Sequence, residues 1–196
     1  HIDNTWLDVR DVFRTDNNFR DATIDWNETA DNVNRMVPPM LATTGLVITQ
    51  GFIGCTDENE STTLGREGSD FSGAIFANLL HAESLTIWKD VPSVMNADPR
   101  QFEHAVPIPE MSYEEVIEMA YYGAQVIHPK TIKPLYEKKI PLYVKCFLDA
   151  SLPGTVITRK RVPSLPPIIV KKENQVLMEF FSRDYSFIGE HSVGKL

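Results

Sequence analysis

Thr62-Thr63-Leu64-Gly65-Arg66-Glu67-Gly68-Ser69-Asp70-Phe71-Ser72-Gly73-Ala74 sets a glycine-punctuated turn carrying Arg, Ser and Asp directly ahead of an apolar run at helical spacing. Glycines let backbone N–H groups come close to a ligand, a helix start presents unpaired amides, and an arginine fork grips a carboxylate or phosphate with two parallel hydrogen bonds. An ordinary strand-to-helix connection with a Ser or Asp cap uses the same residue types, so this stretch alone leaves both readings open. Just upstream, Gly45-Leu46-Val47-Ile48-Thr49-Gln50-Gly51-Phe52-Ile53-Gly54 reads as one buried strand of the parallel-sheet kind, with a polar loop over 56–62 between the two stretches. Just downstream, Phe71, Ala74, Ile75 and Leu79 mark a helix over 69–80, with Asp70 placed to favour its dipole. Strand, glycine loop and helix together form the repeating unit of an α/β fold.

Working outward, Val9-Arg10-Asp11-Val12-Phe13-Arg14 alternates like a short strand, 15–29 is a polar loop, and helix signals run over 28–36 until Pro38-Pro39 breaks them. Ser84-Leu85-Thr86-Ile87-Trp88 is a second strand ended by Lys89-Asp90. The segment 91–109, with four prolines, is irregular and a candidate binding loop. Ser112-Tyr113-Glu114-Glu115 is a capping box ahead of a helix, Pro129 suits the first turn of another reaching about Lys138, and 141–147 is a strand. After Ile157 the composition turns basic and proline-rich. The expected division is therefore a domain over 1–157, a linker over 158–167 and the start of a second domain over 168–196, with strands at 168–172 and 175–181.

A hydrophobic share of 42% with 23% charged residues is that of a water-soluble domain, and no apolar run approaches the ~18 residues of a membrane helix. The formal net charge of −8, unrelieved by any basic cluster, argues against nucleic-acid binding. Cys55 and Cys146 lack C-x-x-C spacing, which suits two reduced, buried thiols in a cytoplasmic protein and argues against a disulfide or a zinc site. A start at His1 without Met or signal sequence, and an end just after a strand-like run, read as those of a fragment.

Ligands of a mostly parallel sheet bind beyond the carboxyl ends of its strands, and Gly51 to Gly54, Gly65 to Asp70 and Trp88 to Asp90 all follow strand ends. Neither G-x-x-x-x-G-K followed by Ser or Thr nor G-x-G-x-x-G is present, so no common nucleotide loop is signalled. Arg66 is open to a ligand role or a plain surface ion pair, and Asp90, Asp98 and Arg100 share that ambiguity. His128 reads as a helix-start residue, since no Ser or Cys nucleophile motif partners it.

Five stretches carry a family resemblance. Residues 62–70 resemble the T-T-L-G-R-G-G-S-D signature of aspartate kinases, and 46–54 resemble the strand before it. Trp88-Lys89-Asp90-Val91 with Ala97-Asp98-Pro99-Arg100 resembles W-T-D-V and A-D-P-R. Tyr122-Gly123-Ala124-Gln125-Val126-Ile127-His128-Pro129 is similar to F-G-A-K-V-L-H-P, and Pro153-Gly154-Thr155 to a late P-G-T. The likeness covers about residues 7–157 in the family's order, and the tail from Lys172 resembles the opening of an ACT regulatory domain of the single-function, lysine-regulated class.

The resemblance implies an αβα sandwich around a mostly parallel sheet, followed by the first strands of an ACT-like α+β unit. It implies transfer of the γ-phosphoryl of MgATP to the side-chain carboxylate of L-aspartate, with ATP and Mg2+ as cofactors and a homodimer formed through ACT domains. By the same resemblance Arg66 holds the aspartate α-carboxylate with Ser69 assisting, and Asp70 orients cationic groups around the phosphoryl in transfer. Lys89, Asp90, Met95, Arg100 and Gln125 occupy the nucleotide positions; Arg100 reaches a phosphate and Asp90 the ribose or base. Four residues depart from the pattern: Glu67 for Gly, Lys89 for Thr, Met95 for Tyr and Gln125 for Lys. Gln125 removes a cation that Lys89 is placed to restore. The family's K-F-G-G-T or K-F-G-G-S motif is not in these residues, so the fragment is expected to be inactive alone. A regulatory or assembly module with a degenerate kinase half is the alternative, while a relative acting on glutamate, carbamate or a nucleotide is disfavoured by Ala97-Asp98-Pro99-Arg100 and the ACT-like tail.

Overall fold

A computed structural model describes residues 2–124, 127–171 and 174–176. Strand β1 (Thr5–Leu7) and β2 (Val47–Thr49) pair in parallel, and β3 (Ile53–Cys55) pairs antiparallel with β4 (Ser61–Thr63). The larger sheet holds β5 (Leu85–Lys89), β7 (Leu142–Cys146), β8 (Thr155–Thr158) and β6 (Glu110–Ser112) in the order β5-β7-β8-β6. In it β5 runs parallel to β7 and β6 to β8, while β7 and β8 are antiparallel. Helices α1 (Trp26–Thr44), α2 (Gly68–Leu79), α3 (Tyr113–Tyr121) and α4 (Pro129–Lys138) complete the α/β architecture. Parallel pairing predominates, as expected.

Two apolar cores meet at α2. Phe71 and Ile75 join Leu7, Val9, Phe13 and Val33 on one side, whereas Ala74 and Ala77 join Ile87, Leu142, Val144 and Ile157 on the other. A helix contributing side chains to both cores fixes its N-terminus relative to both sheets, and that N-terminus carries the signature residues. Asn78 adds a buried hydrogen bond from Nδ2 to the Pro134 carbonyl of α4 at 2.8 Å. Tyr113 is fully buried, donates its hydroxyl to the Ile140 carbonyl, and is pushed up to about 12 in pKa by that burial.

Several sequence expectations are corrected. Residues 9–14 are not a strand: Val9–Asp11 form a 3-10 turn capped by Asp8, and Val9, Val12 and Phe13, all fully buried, follow helical rather than alternating spacing. The 15–29 loop ends early, because Asp25 caps α1 by accepting from the backbone of Asn27 and Glu28, both at 3.0 Å. Nor do Pro38-Pro39 break that helix, which runs to Thr44 and ends on left-handed Gly45. The carbonyls those prolines leave without donors belong to exposed Asn34 and Arg35, where bulk solvent serves them, while Val33 and Val37 keep the buried stripe intact.

The single strand expected over 45–54 is two strands, and it is not fully buried: Leu46, Ile48 and Phe52 are exposed. A Cβ on Gly51 would sit 3.1 Å from the Ser69 Cα, so the chain bends there over the start of α2, and Phe52 takes a left-handed φ of 77°. Strands β1 and β6 carried too little periodicity to be read, and the polar loop over 56–62 closes into β4. No strand forms at residues 168–171, 175 and 176; the remainder of both expected strands and of the ACT-like segment lies outside the described residues. Parts of the expected linker over 158–167, and Ile168 just after it, lie against the domain. Leu165 and Ile168 touch the second core, and Arg159 lies over the Tyr136 ring at 4.2 Å.

Thr155, from the P-G-T motif, is buried and joins the proline-rich loop to β8. Its Oγ1 accepts from the Val94 N–H at 2.9 Å and donates to the Ile108 carbonyl at 2.6 Å. Asn96 fixes the same loop to the chain beyond β8, donating from Nδ2 to the Pro167 carbonyl at 3.0 Å and accepting from the Ile169 N–H at 2.8 Å.

Asp8 ties β1 to the end of β2. The Arg10 side chain holds its carboxyl down to about 2, helped by the Arg10 backbone N–H and by Gln50 Nε2 at 2.7 Å. A folded pKa below the ordinary 3.8 contributes stability that is present above pH 3.8 and lost as pH falls toward 2. Asp8→Asn is expected to cost about 1 kcal/mol at neutral pH, a figure discounted for the half-exposed Arg10. Denaturant melts of both proteins between pH 5 and about 2 should show the gap closing across that window.

Candidate active site

Leu64 enters the signature loop with its side chain buried and its N–H donated to the Phe52 carbonyl at 2.8 Å. Gly65 at φ 77° and Glu67 at φ 54° are both left-handed, and between them Arg66 is pushed out into solvent. No hydrogen bond or ion pair among the described residues engages its guanidinium, whose fork is left open to a ligand. Gly65 suits this left-handed φ, and a Cβ there would in addition push the exposed Asp21 carboxylate aside. A Cβ on Gly68 would lie 2.6 Å from the Phe52 ring and 3.3 Å from the Phe52 Cα and Leu64 Cβ, so a side chain there has to displace that ring.

Helix α2 begins at Gly68, leaving Ser69 exposed and Asp70 half-buried in its first turn. Asp70 Oδ2 meets Lys89 Nζ at 2.7 Å, with the carboxylate 16% and the ammonium 28% exposed. This contact joins the signature to the carboxyl end of β5, and it accounts for Lys89 standing where the family pattern has Thr: the cation neutralises Asp70 and remains accessible to a further anion. Glu67 also finds an explanation. Its Oε2 accepts from the His128 N–H at 2.8 Å, so the extra carboxylate is turned toward α4 and away from the open Arg66 fork.

Beyond β5, Asp90 is exposed and its charge helps hold the Arg100 guanidinium protonated, after the larger effect of Asp98. Arg100 is paired with Asp98 through Nε at 3.1 Å and Nη2 at 3.2 Å, and that pairing keeps the Asp98 carboxyl below its usual range. The side chain of Arg100 is 89% exposed, so exchanging Asp98 for a phosphate requires only rotation about its own bonds. Met95 is half-buried, bridges to Pro107 and accepts from Ser93 Oγ at 3.5 Å. Gln125 lies outside the described residues.

The residue missed from the sequence is Lys130. Its Nζ reaches Asp21 Oδ1 at 2.8 Å and the Leu64 carbonyl at 3.1 Å, and it stands over the Phe71 ring at 5.4 Å. A lysine in the first turn of a helix opposes the helix dipole, and that mismatch was the legible sign of a specific partner. His128 caps α4 by accepting the Lys130 N–H on Nδ1, in keeping with a helix-start role.

Residues 5–146 match the model of the amino acid kinase family. The chain belongs to that family. Within it, the chain is 40% identical to lysine-sensitive aspartokinase 3 of Escherichia coli over 178 residues, 90% of this chain and 39% of the relative. It is 41% identical to the chloroplastic bifunctional aspartokinase/homoserine dehydrogenase 1 of Arabidopsis thaliana over 81% of its own length and 17% of the relative's. The amino acid kinase fold is matched in the crystal structure of E. coli aspartokinase III in complex with aspartate and ADP, at a TM-score of 0.79 over 83% of this chain and 36% of that one. The lysine and aspartate complex of the same E. coli enzyme gives 0.73. This amino acid kinase chain therefore spans about two fifths of the E. coli relative. Its named relatives are kinases, which makes phosphoryl transfer the chemistry of the family.

Proposed function

We propose that this chain is the part of an aspartate kinase that presents the substrate loop to the nucleotide. In the whole enzyme the γ-phosphoryl of MgATP passes to the side-chain carboxylate of L-aspartate, giving 4-phospho-L-aspartate for lysine, threonine and methionine synthesis. The observation carrying this reading is the Asp70–Lys89 ion pair, which sets the signature helix against the end of β5.

The acceptor carboxylate is ionised at neutral pH and needs no general base, so the protein's task is to align two anions and neutralise them. Arg66 takes the α-carboxylate in its open fork, with Ser69 beside it on the first turn of α2. Asp70 holds Lys89, and Lys89 directs its remaining N–H groups at the phosphoryl in transfer. Arg100 leaves Asp98 for a phosphate, while Asp90, Met95 and Gln125 border the ribose and base. Further neutralisation of the phosphate oxygens is supplied by Mg2+ when bound. A kinase holds that ion largely through the nucleotide's own phosphates; among the described residues no cluster of three or more His, Cys, Asp or Glu side chains is placed to hold it, and the Asp70 carboxylate is engaged by Lys89. No K-F-G-G-T or K-F-G-G-S motif occurs in these residues, so the chain by itself is proposed to bind ligands without turnover.

The residues from 158 on are proposed to lead into an ACT-type regulatory domain, beginning near residue 168, through which the intact protein dimerises. A cytoplasmic site is proposed from the chain's composition; among the described residues no helix is long and apolar enough to cross a membrane.

Calorimetric titration with MgADP tests the reading. The wild-type chain is expected to bind, and Arg100→Ala to bind roughly tenfold more weakly through loss of one charge-assisted phosphate contact. A wild-type chain that does not bind MgADP overturns it.

A further inference from the structure

The two ends of the Arg66 loop are fastened to one element, the first turn of α4. On the upstream side Lys130 Nζ donates to the Leu64 carbonyl at 3.1 Å, with Asp21 Oδ1 at 2.8 Å holding the ammonium in place. On the downstream side the Glu67 carboxylate accepts from the His128 N–H at 2.8 Å. The side chain of Glu67 makes no capping hydrogen bond to its own helix, although Glu67 is the residue at the N-cap of α2. Its carboxylate is committed across the gap instead.

Backbone strain makes such fastening necessary. Gly65 and Glu67 both have positive φ, and for a residue with a Cβ that conformation costs about 1–2 kcal/mol, which an unsupported loop relieves by relaxing. A loop that relaxes carries the Arg66 fork away from its ligand, and a bidentate grip tolerates little displacement. Of the two Lys130 contacts, the one to Asp21 is largely solvent-exposed and contributes little by itself. The one to the Leu64 carbonyl is half-buried and acts directly on the loop.

We propose that the first turn of α4 is a clasp, in which Lys130 and Glu67 are positioning residues that hold Arg66 in register for the carboxylate of the amino-acid substrate. Neither side chain touches the substrate; both act through the backbone on either side of Arg66. The proposal deepens the aspartate-kinase reading and rests on it, and it adds a use for the two residues that the chemistry leaves over.

Two measurements on the same proteins test it: amide exchange across 64–68, and titration with L-aspartate and with MgADP. Lys130→Met and Glu67→Ala are each expected to raise exchange across the loop several-fold and to weaken L-aspartate about fivefold, with MgADP affinity unchanged. Lys130→Arg and Glu67→Gln keep a donor and an acceptor respectively and are expected to restore both readouts. Unchanged exchange in Lys130→Met and Glu67→Ala overturns the clasp. So does an equal loss of aspartate and MgADP affinity accompanied by a lower melting temperature, since that is the mark of a merely structural role. Should the wild-type chain bind neither ligand, the kinase reading falls, and the exchange data still decide whether α4 fastens the loop.

Discussion

Gly154→Ala is expected to destabilise the chain by about 3 kcal/mol, whereas Gly45→Ala, at nearly the same backbone angle, is expected to cost about 1 kcal/mol. Gly154 has φ 72° and Gly45 φ 71°, so both substitutions carry the penalty of a left-handed residue with a Cβ. Their surroundings differ. Nothing lies within 4 Å of a Cβ built on Gly45, but one built on Gly154 collides with the Val144 carbonyl oxygen and comes within 3.1 Å of Lys145 Cγ. That carbonyl cannot move aside, because Val144 is paired on one edge with Ile87 of β5 and on the other with Thr155 of β8. The strain must then be passed to the β7–β8 ladder or to Thr155, whose hydroxyl joins Val94 to Ile108. For a chain of this size the larger loss corresponds to a fall of roughly 6–12 °C in melting temperature. Parallel melts of the two variants separate collision from backbone angle, and equal shifts would count against the packing described around Gly154.

Arg66→Ala is expected to leave the melting temperature within about 1 °C of wild type and to weaken L-aspartate roughly a hundredfold. The first half follows from the exposed side chain, which makes no hydrogen bond or ion pair among the described residues. The second follows from the two-pronged contact to a carboxylate that we propose for Arg66, where hydrogen bonds to charged groups contribute about 1.5–3 kcal/mol. Arg66→Lys restores the charge but not the fork, and recovers only part of the affinity. Titration of the three proteins with L-aspartate in saturating MgADP checks both halves. An Arg66→Ala chain that binds aspartate like wild type removes Arg66 from the site.

What could be read from the residues was what their near neighbours decide. Ser112 and Glu115 form the expected capping box, at 3.2 and 2.7 Å, because both partners sit in one helical turn. Pro129 opens α4 for the same local reason. What could not be read depends on distant residues. The break at Gly51 falls where Ser69 of α2 packs so close that a Cβ on residue 51 would lie 3.1 Å from its Cα. Continuation of α1 through Pro38-Pro39 depends on which of its faces the core covers. Within the site, Arg66, Ser69 and Asp70 were legible as a motif, but the meaning of Glu67 was not, since its partner His128 lies 61 positions further along. The sequence presents Lys89 as a replacement cation, and only the fold shows it 2.7 Å from Asp70.

The order β5-β7-β8-β6 has a consequence for the growing polypeptide. A ribosome delivers β6 well before β8, yet β8 is the only strand beside which β6 is hydrogen-bonded among the described residues. Until residue 158 has left the exit tunnel, residues 110–112 have no ladder to join, and Val94 and Ile108 have no Thr155 to meet. The proline-rich loop over 91–109, though made early, thus gains its anchor to Thr155 only with the strand that completes the sheet, and its anchors to Pro167 and Ile169 later still.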